Sequence, residues 1–328
     1  MRAVPRPVRF VVITLAAAGA AACADQAPTG VLPSNPAVTA DRAGPLANGR
    51  HIIIMKDGAS TMSNLVSQVQ SLGGRIVRAQ PDIDVVTVSG LSDAAVATLG
   101  NRGDVDGIRA DQSVPMIPTR EQIMGQMVRA QTDQSGAQFF TTFQWNLRQI
   151  RADKAWTVTK QGKGSLVCIL DTGIDPDHLD LQGKVDLGIS TSFVSTEPDI
   201  LDRNFHGTFV SALISSNGLG MASVAPDARL CTIKVLDETG RGSFSDLISG
   251  IVYAAQHDAD VINMSLGAYV QVQTKDDVQL IKALQRAIDF AKRRGTVAVA
   301  AAGNDTANLA RDARNMIEIP AQLKGVIS

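Results

Sequence analysis

The chain has 328 residues, 45% of them hydrophobic and only 4% aromatic, with a formal net charge of -1. That length admits one or two globular domains. A charge so near neutral excludes the basic surface of a nucleic-acid-binding protein.

Residues 1–23 read as a secretory signal. Arg2, Arg6 and Arg9 precede an apolar stretch from Phe10 to Ala22 that is too short to span a bilayer. The stretch ends in AAAC, similar to a bacterial lipoprotein cleavage site with Cys23 as the lipidated residue. Ala20 stands where a larger aliphatic residue is usual, so plain secretion is the alternative. Either route takes the mature protein to the cell envelope or beyond. Residues 24–48 are rich in Pro, Ala and Gly and read as a linker.

Residues 49–116 read as a small α+β domain. HIIIMK is a strand, and Ser63 caps a helix carrying Leu65, Val69 and Leu72 on one face, stopped by Gly73 and Gly74. RIVRA and VVTVS are two more strands. LSDAAVATLG is a helix capped by Ser92 or Asp93, and GIRADQSVP closes the unit as a fourth strand. The β-α-β-β-α-β order predicts a split βαβ, ferredoxin-like arrangement. His51 opens a strand and reads as a surface residue. Residues 117–143 lack a clean period and read as an exposed connection with a processing site.

From residue 144 strands alternate with helices. Strands fall at 165–171, 229–236, 261–265 and 296–301. Helices fall at 206–216, 244–257 and 276–294, the last with Val278, Ile281, Ile288 and Ala291 near helical spacing. This alternation predicts an α/β fold with a doubly wound, mostly parallel sheet, whose ligands bind beyond the carboxyl ends of the strands. Cys168 and Cys231 sit in apolar strands and read as a pair of small buried residues. A disulfide between them is the alternative in an oxidising compartment.

The chemistry collects at those strand ends. Asp171 closes the apolar run LVCIL. His206, in NFHGTFVSALI, follows after a span long enough for a crossover. A carboxylate that accepts an imidazole N–H fixes the tautomer and leaves the other nitrogen free as a base. Asn304 follows the small-residue strand AVAAAG, where a side-chain amide can donate to a developing oxyanion. VINMSLG offers backbone edges at Ser265, Leu266 and Gly267 for an extended peptide. Taken singly these signals are weak. A helix-capping aspartate and a structural histidine are the ordinary readings of Asp171 and His206. The lone D-T-G triplet lacks the second copy that an aspartic protease requires.

Taken together, ILDTGIDPDH, FHGTFVSALI, ASVAPDARLCTIKVLDETGRGSFSDLISGI, VINMSLG and TVAVAAAGN resemble, in order, the subtilisin-like serine proteases. The resemblance covers most of residues 144–328, which would form a partial catalytic domain beginning near WNLRQIRADKAW. It implies that Asp171 orients His206, that His206 is the general base and that Asn304 stabilises the oxyanion. Ser265, Leu266 and Gly267 with Ala302 and Gly303 would line the substrate cleft. Residues 49–116 would be a propeptide that inhibits the enzyme intramolecularly, and the substrates would be proteins or peptides. A structural calcium would be held by Asp180, Asn217 and backbone oxygens of Leu219 and Met221. His178 and Asp175 would shape the loop after Asp171. Phe209 stands where the family often has a second histidine.

The family's nucleophile lies in a Gly-Thr-Ser type motif after the asparagine, and no serine of this sequence has that context. The expectation is a proenzyme truncated before its catalytic serine and inactive alone, with an apolar face left exposed. The alternative is a nonproteolytic binding or inhibitory protein derived from such an enzyme. A nucleotide-binding reading rests only on GKGS at 162–165, which precedes a strand where a phosphate loop would follow one.

Overall fold

The computed structural model describes residues 46–58, 62–122, 136–304 and 316–328. The signal stretch, Cys23, most of the linker and much of the 117–143 connection lie outside the described residues.

The first unit runs β1 (Leu46–Met55), α1 (Met62–Ser71), β2 (Arg75–Gln80), β3 (Val85–Ser89), α2 (Asp93–Gly100) and β4 (Val105–Pro115). Its strands pair antiparallel in the order β2-β3-β1-β4. The period-2 alternation of β1 explains how it serves two cores. Ile53 and Met55 pack with Leu65, Val69 and Leu99 inside the unit, while Ile52 and Ile54 face outward into a larger cluster with the second unit. Ser92 caps α2, its side chain accepting the Ala95 N–H at 3.3 Å. Ser63 does not cap α1, because the helix already begins at Met62.

The second unit runs α3 (Gly136–Thr142), α4 (Trp145–Gln149), α5 (Ala152–Val158), β5 (Leu166–Asp171), β6 (Thr191–Ser192), α6 (His206–Ile214) and β7 (Arg229–Lys234). It continues through β8 (Arg241–Ser243), α7 (Phe244–Gln256), β9 (Val261–Met264), β10 (Ala268–Gln271), α8 (Lys275–Arg293), β11 (Val297–Ala300), β12 (Met316–Ile319) and β13 (Val326–Ile327). Six strands form a parallel sheet in the order β13-β11-β9-β5-β7-β6. It is covered on both faces. Val167 and Ile169 of β5 pack with Val210, Ala212 and Ile214 of α6, while Cys168 and Leu170 pack with Leu247, Ile251 and Leu284 of α7 and α8.

Three local expectations need correction. Part of the 117–143 connection is helical: α3 begins at a buried Gly136, whose N–H donates to Leu219 O at 2.8 Å. The sheet of the first unit gains a fifth strand, because β8 pairs antiparallel with Ser113–Pro115. Cys168 and Cys231 are not two free buried thiols but a disulfide. They face one another in the β5–β7 register with Cα atoms 4.5 Å apart, a separation that suits the bond.

The two units are joined by charge as well as by apolar contact. Arg50 pairs with Asp246 at 2.9 Å and Arg109 with Asp277 at 2.5 Å; Lys282 pairs with Asp106 and Arg286 with Asp57. Asp111, fully buried, accepts the Ser245 N–H at 3.2 Å and the Ser245 hydroxyl at 2.6 Å, at the start of α7. Burial raises the Asp111 carboxyl. Burial also pushes Asp246 up to about 6, against the opposing pull of Arg50. Asp277 goes the other way: burial raises it, but bonds from Arg109 and Thr274 outweigh burial and hold it at about 2.

The signs predict opposite pH responses. The raised Asp246 stabilises the fold at low pH, and that contribution fades as pH rises through about 6. The depressed Asp277 stabilises above its ordinary value and loses its contribution only as pH falls through about 2. Between roughly pH 4 and 7, wild type is therefore expected to lose up to about 3 kcal/mol that an Asp246→Asn variant does not lose. Urea midpoints across that range measure the difference; parallel curves would refute the assignment.

Candidate active site

Asp171 is the last residue of β5 and is fully buried. Its position follows from the apolar run before it, which carries the chain through the sheet and ends at the carboxyl edge. The Thr172 N–H donates to its Oδ1 at 2.7 Å. Opposite stands His206, the first residue of α6, with Nδ1 at 2.8 Å from Asp171 Oδ1 and 3.0 Å from Oδ2. That contact places the proton on Nδ1 and leaves Nε2 as the unprotonated nitrogen of the neutral ring. Burial lowers the imidazole pKa, but Asp171, through charge and hydrogen bond, and Asp202, through charge, outweigh it; the net shift is upward.

Two local features bring the helix this close. Gly207 has no side chain, and a Cβ there would collide with the Gly173 carbonyl. Phe205 precedes the helix with φ of 89°, a left-handed conformation costly for a side chain of this size. Asp202 holds the turn. Its Oδ1 accepts the Thr172 hydroxyl and the N–H groups of Asn204 and Phe205, each at 2.9 Å. Its Oδ2 accepts the Thr208 N–H at 2.8 Å and hydroxyl at 2.6 Å. The Thr172 hydroxyl in turn accepts the Gly207 N–H at 3.0 Å. Asp202 and Thr172 were not singled out in the sequence, where an acid five or fewer residues from a helix start looks like any cap.

The other expected residues occupy the same edge of the sheet. Ser265, Leu266 and Gly267 follow β9, the neighbour of β5, and Asn304 follows β11, one strand further along. Ala302, Gly303 and Asn304 are exposed. An extended segment of the first unit runs alongside. Ser113–Pro115 pairs with β8, Met116 N–H donates to Gly240 O at 3.0 Å, and Gly267 N–H donates to Met116 O at 2.9 Å. A Cβ on Gly240 would approach Ile117 to 2.5 Å, so the glycine makes room for the apolar residues that follow β4. The GRG triplet that leads into β8 carries that signal in the sequence, and reading it needed the knowledge of what lies beside the strand.

The residues expected to hold calcium come together, but around one another. Asp180 Oδ1 accepts the Leu219 N–H at 2.7 Å and Oδ2 the Gly220 N–H at 2.9 Å. Met221 O accepts the Ser216 hydroxyl at 2.9 Å, and the Asn217 amide donates to Leu179 O and Gln182 O. Backbone N–H groups, which cannot ligate a cation, face the carboxylate where carbonyl oxygens would be needed. This arrangement does not fit a calcium centre, and no chemistry is derived through one. His178 and Asp175 do shape the loop after β5: His178 Nδ1 accepts the Asp180 N–H at 3.3 Å and Asp175 Oδ1 the Asp177 N–H at 3.1 Å. Phe209, one turn into α6, is partly exposed. The GKGS stretch lies at the amino end of β5, the wrong edge of the sheet for a phosphate loop.

A buried Asp–His pair at the carboxyl edge of a doubly wound parallel sheet has the geometry that suits a general base. Residues 162–328 match the subtilase family model, and the chain belongs to the subtilase family. It is 37% identical over 170 residues to the thermophilic serine proteinase of Bacillus sp. strain AK1, covering 51% of this chain and 40% of that protein. It is 36% identical over 169 residues to thermitase of Thermoactinomyces vulgaris, covering 51% and 56%. With subtilisin DY of Bacillus licheniformis the identity is 39% over 189 residues, covering 57% and 63%. The chain thus spans about half the length of the relatives it matches. The fold is also that of the epidermin leader peptide processing serine protease from Staphylococcus aureus, with a TM-score of 0.67, 23% identity and coverage of 84% of this chain and 68% of that one.

Proposed function

We propose that the protein is a secreted serine endopeptidase made as a proenzyme. In this reading His206, oriented by Asp171, takes the proton of a serine as that serine attacks a peptide carbonyl, and Asn304 donates to the oxyanion. The nucleophile is supplied by residues outside 1–328. The observation that carries the reading is the 2.8 Å contact between Asp171 and His206 at the strand edge.

The first unit acts as the inhibitor. Residues 113–116 lie as an extended strand between β8 and Gly267, which are the edges an extended peptide substrate would use. Residues following Met116 then lead to the processing site. A lipid on Cys23 would tether the enzyme to the membrane. The alternative of a nonproteolytic protein gains nothing from this geometry, since a binding module has no need of an oriented imidazole.

Hydrolysis of unfolded casein tests the reading. Protein translated past codon 328, with an in-frame Gly-Thr-Ser motif, is expected to cleave it after processing. The 328-residue chain alone is expected to show no turnover. Casein cleavage by the short chain, or none by the extended one, would overturn it.

A further inference from the structure

Among the described residues Lys234 is the largest fully buried side chain, and the general-base chemistry does not use it. It ends β7, in parallel register with Asp171 at the end of β5. A buried ammonium is costly unless every proton finds an acceptor. Here two carbonyls accept from it, Thr172 O at 2.8 Å and Leu201 O at 2.9 Å, and Glu197 Oε2 pairs with its charge at 2.6 Å. Glu197 is itself fixed, its Oε1 accepting the Glu238 N–H at 2.8 Å.

The two carbonyls belong to the two pieces of chain that carry the Asp–His pair. Thr172 directly follows Asp171. Leu201 directly precedes Asp202, whose carboxylate organises the turn into α6 and so the placement of His206. An apolar residue could fill the end of β7, but it would leave the buried Thr172 carbonyl without this donor and would remove the shorter of the Leu201 carbonyl's two side-chain contacts, the other being Arg203 at 3.4 Å. One ammonium therefore joins the loop behind Asp171 to the loop behind His206.

We propose that Lys234 is a positioning residue for the Asp171–His206 pair, its ammonium fixing the separation of the two loops. It touches no reacting atom and acts through the Thr172 and Leu201 carbonyls. The proposal rests on the reading of that pair as the general base, and not on turnover, so it is testable in the 328-residue chain.

The readout is the downfield proton resonance of His206 Nδ1–H, the signature of its bond to Asp171, assigned by its absence in His206→Ala. Two variants are compared with wild type in the full chain: Lys234→Met, and Lys234→Met with Glu197→Gln, which removes both charges of the ion pair. The expected result is a folded protein by circular dichroism whose His206 resonance is lost or moved upfield. A variant that melts earlier yet keeps the resonance unchanged would overturn the proposal, since a purely structural lysine predicts that outcome. If the single variant does not fold, the double variant decides; a double variant that also fails to fold would assign the lysine to folding and overturn positioning. A wild-type chain without the resonance would contradict the general-base reading itself.

Discussion

Replacing His206 with alanine in the enzyme carrying its serine is expected to lower kcat by about 10⁴-fold or more, with KM little changed. The imidazole meets Asp171 through Nδ1, at 2.8 Å and 3.0 Å from its two oxygens, which leaves Nε2 as the nitrogen free to act as a base. Asp171→Asn is expected to cost a similar factor, because an amide in that position selects the wrong tautomer. Activity should also rise with pH and reach half its maximum above the ordinary histidine value, since the net shift on His206 is upward and only the neutral ring is a base. The same shift means that the charged pair stabilises the fold below that ordinary value and ceases to do so as pH rises through the raised one. A pH–rate profile and a Michaelis analysis of the two variants check these outcomes together. A His206→Ala enzyme within tenfold of wild type would show that the pair is structural.

Loss of the disulfide is expected to be the largest single effect on stability. Cys168 and Cys231 are separated by 63 residues, a loop whose closure restricts the unfolded chain by about 4 kcal/mol in the loop-entropy model. That loop contains the whole stretch from the end of β5 through α6, so the bond ties Asp171's strand to the strand that returns after His206. The Cys168→Ala and Cys231→Ala double variant should unfold at a markedly lower denaturant concentration, with an m-value no smaller than wild type because its unfolded chain is no longer cross-linked. Peptide mapping of the wild-type chain should recover the two cysteines as one cross-linked fragment. Two free thiols, or an unchanged midpoint, would refute the bond.

Much of the fold was legible because its signals are local. The apolar run before Asp171, the small-residue strand before Asn304 and the periodic face of α8 each announce an element by pattern alone. The Asp171–His206 contact was also legible, because strand ends of a parallel sheet are forced to one edge and the chain order leaves few partners. What the sequence hid depends on register and on distant backbone. Whether Cys168 meets Cys231 is decided by which residues of β5 and β7 lie opposite, and a slip of one position would turn one sulfur to the other face. Lys234 was not singled out, because its two carbonyl acceptors and its carboxylate partner come from residues at 172, 201 and 197, remote from it in the chain. The loop at Asp180 kept the residue types of a calcium site, but the direction of its N–H groups is set by how residues 216–221 fold back. Likewise β8 is too short to be read as a strand until β4 lies beside it.

The claim that His206 is the base for a serine outside residues 1–328 is tested most directly by fluorophosphonate labelling of protein translated past codon 328, with the adduct located by mass spectrometry. The account predicts one labelled serine, beyond residue 328, whose labelling rate collapses in His206→Ala. An adduct on any serine within residues 1–328, or labelling at an undiminished rate without His206, would contradict it.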